Sequence, residues 1–401
     1  MNQPANHRPN LTDAPPNFAT FAGLWFCLAF PSCGIVQKYF GNIGVLIYLI
    51  ATAGLLWLVC KYASRFYLAR VSEGQALFLA AATLLGLVLI FAFVYPKANV
   101  HLPGKGSDAD DALNLAVNEL LHGRYPYYAR TYLDNPVANL PGTIFLAVPF
   151  ALLGNSAYQN FFWLMVFFIA VSLSVRSWRL GLMFFWVILI FSPVVMYYLV
   201  TGGDDPANAI YVLVFLLWLV HCVQVDARQW QTAIVAALLG VGLSSRTNFL
   251  LVMPQLFSVL AIKAGWRIAL KYVVLAAVCC AALTLPFWIH DPAGFSPLRA
   301  QASKITQFQN VVPFAGVLVP LLGGCLALAL AWRSLTRRRE TWLRDGAIVQ
   351  AFLVISLVTL SAIRERTLSL VLTGYGVFFL FFGVLAFAER CANHSTVTQP
   401  D

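Results

Sequence analysis

Asp108, Asp110 and Asp111 crowd the start of a polar segment that runs from Gly106 to about Asn139, in a chain where only 16 of 401 residues are acidic. A carboxylate in so apolar a chain is costly unless it meets water, a partner or a substrate. An Asp with an ordinary pKa of about 3.9 is ionised at neutral pH and can take a proton from a hydroxyl whose oxygen is forming a new bond. A second acid pair stands in Thr201-Gly202-Gly203-Asp204-Asp205-Pro206, and a cation, Arg246, stands in the otherwise uncharged Ser244-Ser245-Arg246-Thr247-Asn248. Acids that accept protons, with a fixed cation for an anionic leaving group, suit group transfer, in which preorganised charge is often the largest catalytic contribution.

The elements that must position these residues are membrane helices. Sixty per cent of the residues are hydrophobic and 10% charged, with a mean hydropathy of +0.76, far from the soluble average of roughly 45–50% apolar and about 25% charged. At about 20 apolar residues per crossing, twelve spans are expected, near 19–37, 43–60, 75–95, 156–175, 180–200, 207–224, 231–245, 249–263, 272–289, 311–332, 346–361 and 368–388. The expected fold is thus an all-α polytopic bundle forming one integral-membrane domain over 1–401, with cytoplasmic tails at 1–18 and 389–401. Basic residues mark cytoplasmic loops, and an inside N-terminus places 16 of the 26 basic and 7 of the 16 acidic residues there, leaving 10 and 9 outside. The net charge of +10 is therefore a topology signal, and nucleic-acid binding has no support. The N-terminal stretch has neither a basic region nor a small-residue cleavage site, so no removable signal peptide is expected.

This topology gathers the unusual acids and Arg246 on the outer face. The long outer loop, 96–155, is expected to carry the site. Within it Ala112, Leu113, Ala116, Val117, Leu120 and Leu121 recur at helical spacing, which predicts an amphipathic helix near the membrane surface, starting at Ser107 or Asp108 and stopping at Gly123. Pro141 to Leu153 is apolar but short for a span and is expected to form a second surface or re-entrant helix.

The Asp at the head of the first long outer loop, the amphipathic helix, Gly123 fifteen positions after Asp108, and the ending Gly123-Arg124-Tyr125-Pro126-Tyr127 together resemble the C-type superfamily of integral-membrane glycosyltransferases, including the family 87 mannosyltransferases. The resemblance is strongest over about 100–154. It implies that Asp108 occupies the catalytic position, that a polyprenyl-phosphate sugar (mannose is the expected sugar) is the donor, and that transfer to a lipid, glycan or protein acceptor proceeds with inversion at the outer membrane face. Members that use lipid monophosphates generally need no metal, so no cofactor is expected, although Asp204 and the Asp108 cluster have the oxygen ligands that Mg or Mn would take.

On this reading Asp108 is the base and Asp111 its second candidate, whereas Asp110 need do no more than sit at a helix start. Arg246 meets the lipid phosphate, with Arg124, Asp204 and Arg364 as further substrate-binding groups and Tyr127 in an aromatic turn suited to stacking on a sugar. A cavity lined by Asp108, Asp204 and Arg246 is the expected form of the site. Plainer readings stand beside these: Ser107 or Asp108 as a helix cap, Asp205 as an N-cap before Pro206, Arg246 snorkelling to headgroups, and the tyrosines as an interfacial belt. The eight cysteines lack metal or disulfide spacing, and His101, His122 and His290 lack paired ligand spacing. The rival from another class is a transporter or flippase for a lipid or lipid-linked sugar, which would place ionisable groups and broken helices near the membrane midplane.

Overall fold

The computed structural model describes residues 18–102 and 106–397. The expected tail at 1–18 falls almost wholly outside them. The described residues contain helices and no strand, and Arg130 and Pro136 form an isolated bridge. In chain order the α-helices are α1 Phe18–Ala29, α2 Cys33–Leu58, α3 Ser64–Arg70, α4 Glu73–Ala98, α5 Ala109–Leu121, α6 Pro141–Leu152, α7 Gln159–Ser174, α8 Trp178–Phe191 and α9 Pro193–Thr201. They continue as α10 Asp205–Gln224, α11 Gln229–Leu243, α12 Met253–Ala264, α13 Trp266–His290, α14 Ser296–Thr306, α15 Ala315–Arg337, α16 Trp342–Glu365 and α17 Val377–Val397.

Among the described residues nine helical stretches are long and apolar enough to cross a membrane, or ten if the bent pair α8 and α9 counts as one. The chain is a multi-pass membrane protein, and the count differs from twelve for three physical reasons. Phe18–Arg70 runs as a single 53-residue stretch, which if straight would reach about 80 Å at 1.5 Å per residue. Gly41 breaks it, with φ 68° and ψ −171°, a conformation that only glycine adopts at little cost. The second reason is α11, whose 15 residues are short for a crossing. The third is the 80° bend between α8 and α9 where a straight span over 180–200 is expected. Ser192 precedes Pro193, which disfavours helical backbone at the serine, and Ser192 sits at φ −124°, ψ 74°. Its hydroxyl donates to the Leu28 carbonyl at 2.5 Å, which fixes the break against α1.

Burial sorts the helices into two sets. In the most apolar window of α10, 72% of residues are buried, against 11% in α4. Helix α10 is therefore the centre of the bundle, packed against α7, α11, α12 and α17. Helices α2 and α4 turn Ile43, Ile47, Phe78 and Phe93 outward, as a lipid-facing surface does.

Charge divides the two ends. At one end Glu73 pairs with Arg179 at 3.0 Å, Lys263 with Glu340 at 2.8 Å, and Asp345 with Arg333 at 2.9 Å. At the other the 106–140 segment meets the α9–α10 turn and the residues after α11, through Asn139 to Asp204 and Arg246 to Asp204 and Asp205.

Candidate functional site

Helix α5 starts at Ala109. Asp108 occupies its N-cap position without a side-chain cap bond, and the Ser107 hydroxyl accepts from the Ala109 amide at 3.3 Å instead. Capping is thus not what the Asp108 carboxylate does. Its Oδ2 accepts from the Thr131 hydroxyl at 2.7 Å and the Asn135 amide nitrogen at 2.8 Å. Asp111, one helical turn on, accepts from the Tyr132 backbone N–H at 3.3 Å. Both carboxylates are half-buried and bind the 131–135 turn, in which Asp134 takes a positive φ of 63°.

Asp110 points the other way, into the protein. It is 4% exposed, and its Oδ2 accepts from the hydroxyl of Tyr95, near the end of α4, and from Asn155 at 3.5 Å. Asn155 also donates to the Tyr95 oxygen and accepts from Asn114 of α5 at 3.2 Å. Burial raises the Asp110 pKa, and the hydrogen bonds from Tyr95 and Asn155 offset that only in part. The reading of Asp110 as a bystander at the helix start is corrected: it is the most enclosed acid of the three.

The second acid pair is set by two glycines. Gly202 ends α9 in the left-handed region at φ 71°, and a Cβ there would come 2.6 Å from the Asp110 Cβ. A Cβ on Gly203 would come 2.4 Å from the Tyr198 ring. Only a bare backbone fits at this junction, and so the turn packs directly against α5. Helix α10 then begins at Asp205, with Asp204 at the N-cap position, no side-chain cap bond and Pro206 just inside. The expectation that Asp205 caps the helix is therefore corrected; its carboxylate is paired with Arg246. Asp204 Oδ1 is 3.3 Å from Arg246 Nη2, and Oδ2 accepts from Asn139 at 2.8 Å and from Asn208 at 3.0 Å. Tyr211 donates to Asn208 Oδ1 at 2.6 Å, extending the polar network into the core of α10.

Arg246 is placed by the lock between α6 and the end of α11. The Gly142 amide donates to the Ser244 carbonyl at 3.0 Å, and a Cβ at Gly142 would come 2.1 Å from the Val241 carbonyl oxygen. Thr143 donates to the Ser245 carbonyl at 3.3 Å. The guanidinium is 5.7 Å from the Phe378 ring centroid, within cation–π range. Its Nε is buried and has no hydrogen-bond partner. Arg246 thus has two carboxylate partners within the protein, and the trio carries an excess of one negative charge.

Arg246 also lines a cavity of about 360 Å³, within the size range of small-molecule sites. Its walls are apolar, among them Leu250, Leu251, Val319, Pro320, Leu353 and Leu357, and its polar residues include Asn248 and Gln350. Those two clamp each other, Asn248 Nδ2 donating to Gln350 Oε1 at 2.7 Å and Gln350 Nε2 to the Asn248 carbonyl at 3.0 Å. The expected cavity would have Asp108 and Asp204 beside Arg246. This cavity has Arg246 without either Asp, because Asp204 is turned toward Asn139 and Asn208.

The remaining expected substrate groups are held elsewhere. Arg124 is exposed and pairs with Glu119 at 2.5 Å. Arg364 is exposed and donates to Gln307 at 2.7 Å. Tyr127 is 4% exposed, its ring centroid 4.8 Å from that of Phe295 and 5.9 Å from that of Phe287. It anchors the loop to α13 and has no free face on which to stack a sugar. Among the described residues no three His, Cys, Asp or Glu side chains group as metal ligands.

Sequence reasoning missed Tyr95, Asn139, Asn155 and Asn208 as partners of the acids. Only Asn208 carries a local signal, four residues after Asp204 on one helix face. No family model, no curated protein and no solved structure matches the chain.

Proposed function

We propose that the protein is an inverting membrane glycosyltransferase that moves a sugar from a polyprenyl-phosphate donor to an acceptor hydroxyl at the outer membrane face. The observation that carries this reading is the cavity between the 247–252 turn, α15 and α16: apolar along its walls, about 360 Å³ in volume and lined by Arg246 among its few polar residues. An amphiphile with an isoprenoid chain and an anionic head has that polarity. The sugar then projects toward the α9–α10 turn and the 106–140 segment.

In the step proposed, the Asp108 carboxylate takes the proton of the acceptor hydroxyl as its oxygen bonds to the anomeric carbon. The bond from that carbon to the phosphate oxygen breaks on the opposite face, and polyprenyl phosphate leaves with the electron pair. Arg246 lies at the departing phosphate, its guanidinium oriented by Asp204 and Asp205. Those two acids reduce its net attraction for an anion, so its contribution is directional. Asp111 shares with Asp108 the task of holding the 131–135 turn.

A second reading, a transporter or flippase of a lipid-linked sugar, draws support from the 80° break between α8 and α9. Discontinuous helices that deliver ionisable groups are a transporter feature, and α9 leads straight into Gly202 and the acid pair. The two readings part in one experiment. Purified protein in vesicles receives a labelled polyprenyl-phosphate sugar with and without lipid and glycan acceptors. Covalent transfer with inverted stereochemistry supports the transferase; label that crosses the bilayer chemically unchanged supports the transporter and rejects the transferase.

A further inference from the structure

Asp110 presents a carboxylate in a setting that suits only one of its two charge states. It is buried, and among the described residues it makes no ion pair. Oδ2 takes the Tyr95 hydroxyl and the Asn155 amide, while Oδ1 is buried with no hydrogen-bond partner from another residue. An ionised carboxylate shares its charge over both oxygens, and an orphaned, desolvated oxygen is where that charge is least tolerated. The titratable groups that act on it are acids and phenols: Tyr95 on α4, Asp111 on α5, Tyr158 beside Tyr95 and Tyr132 on the loop. Asp204 and Asp205, on the turn whose Gly202 touches the Asp110 side chain, are paired with Arg246, and that trio keeps one negative charge in excess.

The same residue is where three segments meet. Tyr95 belongs to α4, Asn155 leads into α7, and Gly202 ends α9, and all three converge on the Asp110 side chain. Gly202 has no room for a Cβ because Asp110 fills it. Two residues before Asp110 is Asp108; two residues after Gly202 is Asp204.

We infer that Asp110 is a positioning residue carried as the neutral acid, which pins the helix bearing Asp108 and Asp111 to the Gly202–Gly203 turn bearing Asp204 and Asp205. Neutrality matters to that task, because a charge at Asp110 would repel the very acids it brings together. The direction in which burial moves the Asp110 pKa, upward, agrees. As to the reaction the two acid sets serve, the inference rests on the transferase reading; the clamp and its protonation do not.

The test is infrared spectroscopy of purified protein at neutral pH. Wild type minus Asp110→Asn shows the carbonyl-stretch band of a protonated carboxylic acid, and Tyr95→Phe shifts that band, since it removes the donor on Oδ2. Thermal unfolding across pH gives a second readout. An acid whose folded pKa lies above its unfolded value binds more protons when folded, so the wild type loses stability as pH rises from the unfolded value through the folded one. Asp110→Asn folds normally and lacks that loss. Absence of the band, a variant that loses stability with rising pH just as the wild type does, or failure of the neutral isostere to fold would each overturn the inference. Neither readout needs a donor or an acceptor, so the clamp stands or falls apart from the transferase reading.

Discussion

Two aspartate–arginine clusters sit at opposite ends of the bundle, and their stoichiometry is inverted. At the basic end one acid, Asp345, is 0% exposed and serves two arginines: Arg333 at 2.9 Å and Arg344 at 3.3 Å. Its second oxygen accepts from Ser334 at 3.1 Å and Thr341 at 2.6 Å. Every lone-pair direction of that carboxylate is in use. At the other end one arginine serves two acids, keeps a buried Nε without a partner and lines the cavity. Asp345 joins α15 to α16 and has nothing left to offer a ligand. Arg246 is equally well anchored but unsaturated, and unsaturation beside a cavity is what separates a site from a structural knot.

The largest effect expected from this contrast is on turnover at the open cluster. Arg246→Lys keeps a charge for Asp204 and Asp205 but loses the planar fork and the Nε donor. The rate of sugar transfer is expected to fall about 10²–10³-fold, the usual loss for one preorganised donor, while the unfolding midpoint changes little. Unchanged transfer would erase the distinction between the clusters. Asp345→Asn should do the reverse. Its unfolding free energy is expected to drop by about 2 kcal/mol, less than the 3–5 kcal/mol typical of breaking a fully buried pair, because the side chains of Arg333 and Arg344 are 39% and 48% exposed and solvent screens them. Transfer per folded molecule should hold.

A smaller effect tests the junction between the acid sets. Gly202→Ala must hold φ near 71° and press a methyl against Asp110, a strain of order 1–3 kcal/mol. Hydrogen exchange is expected to quicken along α5 and at the α9–α10 turn together, and to stay as it was around Asp345. Smallest of all is Arg124→Ala, which removes an exposed partner of Glu119. Neither the unfolding curve nor the transfer rate should move measurably; a loss of transfer would restore Arg124 to the site.

Much of the scaffold could be read from spacing alone. The amphipathic run expected from Ser107 or Asp108 to Gly123 contains the observed Ala109–Leu121 helix, and the short apolar run expected from Pro141 to Leu153 forms a helix over Pro141–Leu152. Periodicity is local, and these elements are local. The burial of Asp110 was missed although its signal was present, since it lies three and seven positions before Leu113 and Val117, both fully buried on the apolar face. The break at Ser192–Pro193 carried its signal in the proline. What no local pattern shows is pairing across the fold: Asp205 and Arg246 are 41 positions apart, and Asn139 and Asp204 are 65 apart. An arginine alone in an apolar stretch looks free until the chain is folded. Tyr127 looked like a stacking surface for the same reason, because Phe287 and Phe295, which cover it, come from a distant helix and loop.

The most direct test of the account compares two acids two residues apart. Asp108→Asn and Asp110→Asn are purified side by side and assayed for transfer from a polyprenyl-phosphate sugar. If Asp108 is the base, the first variant loses transfer by about 10²–10⁴-fold with its fold intact, and the second, which keeps a neutral side chain where a neutral one is called for, transfers at close to the wild-type rate. Normal turnover by Asp108→Asn would contradict the account.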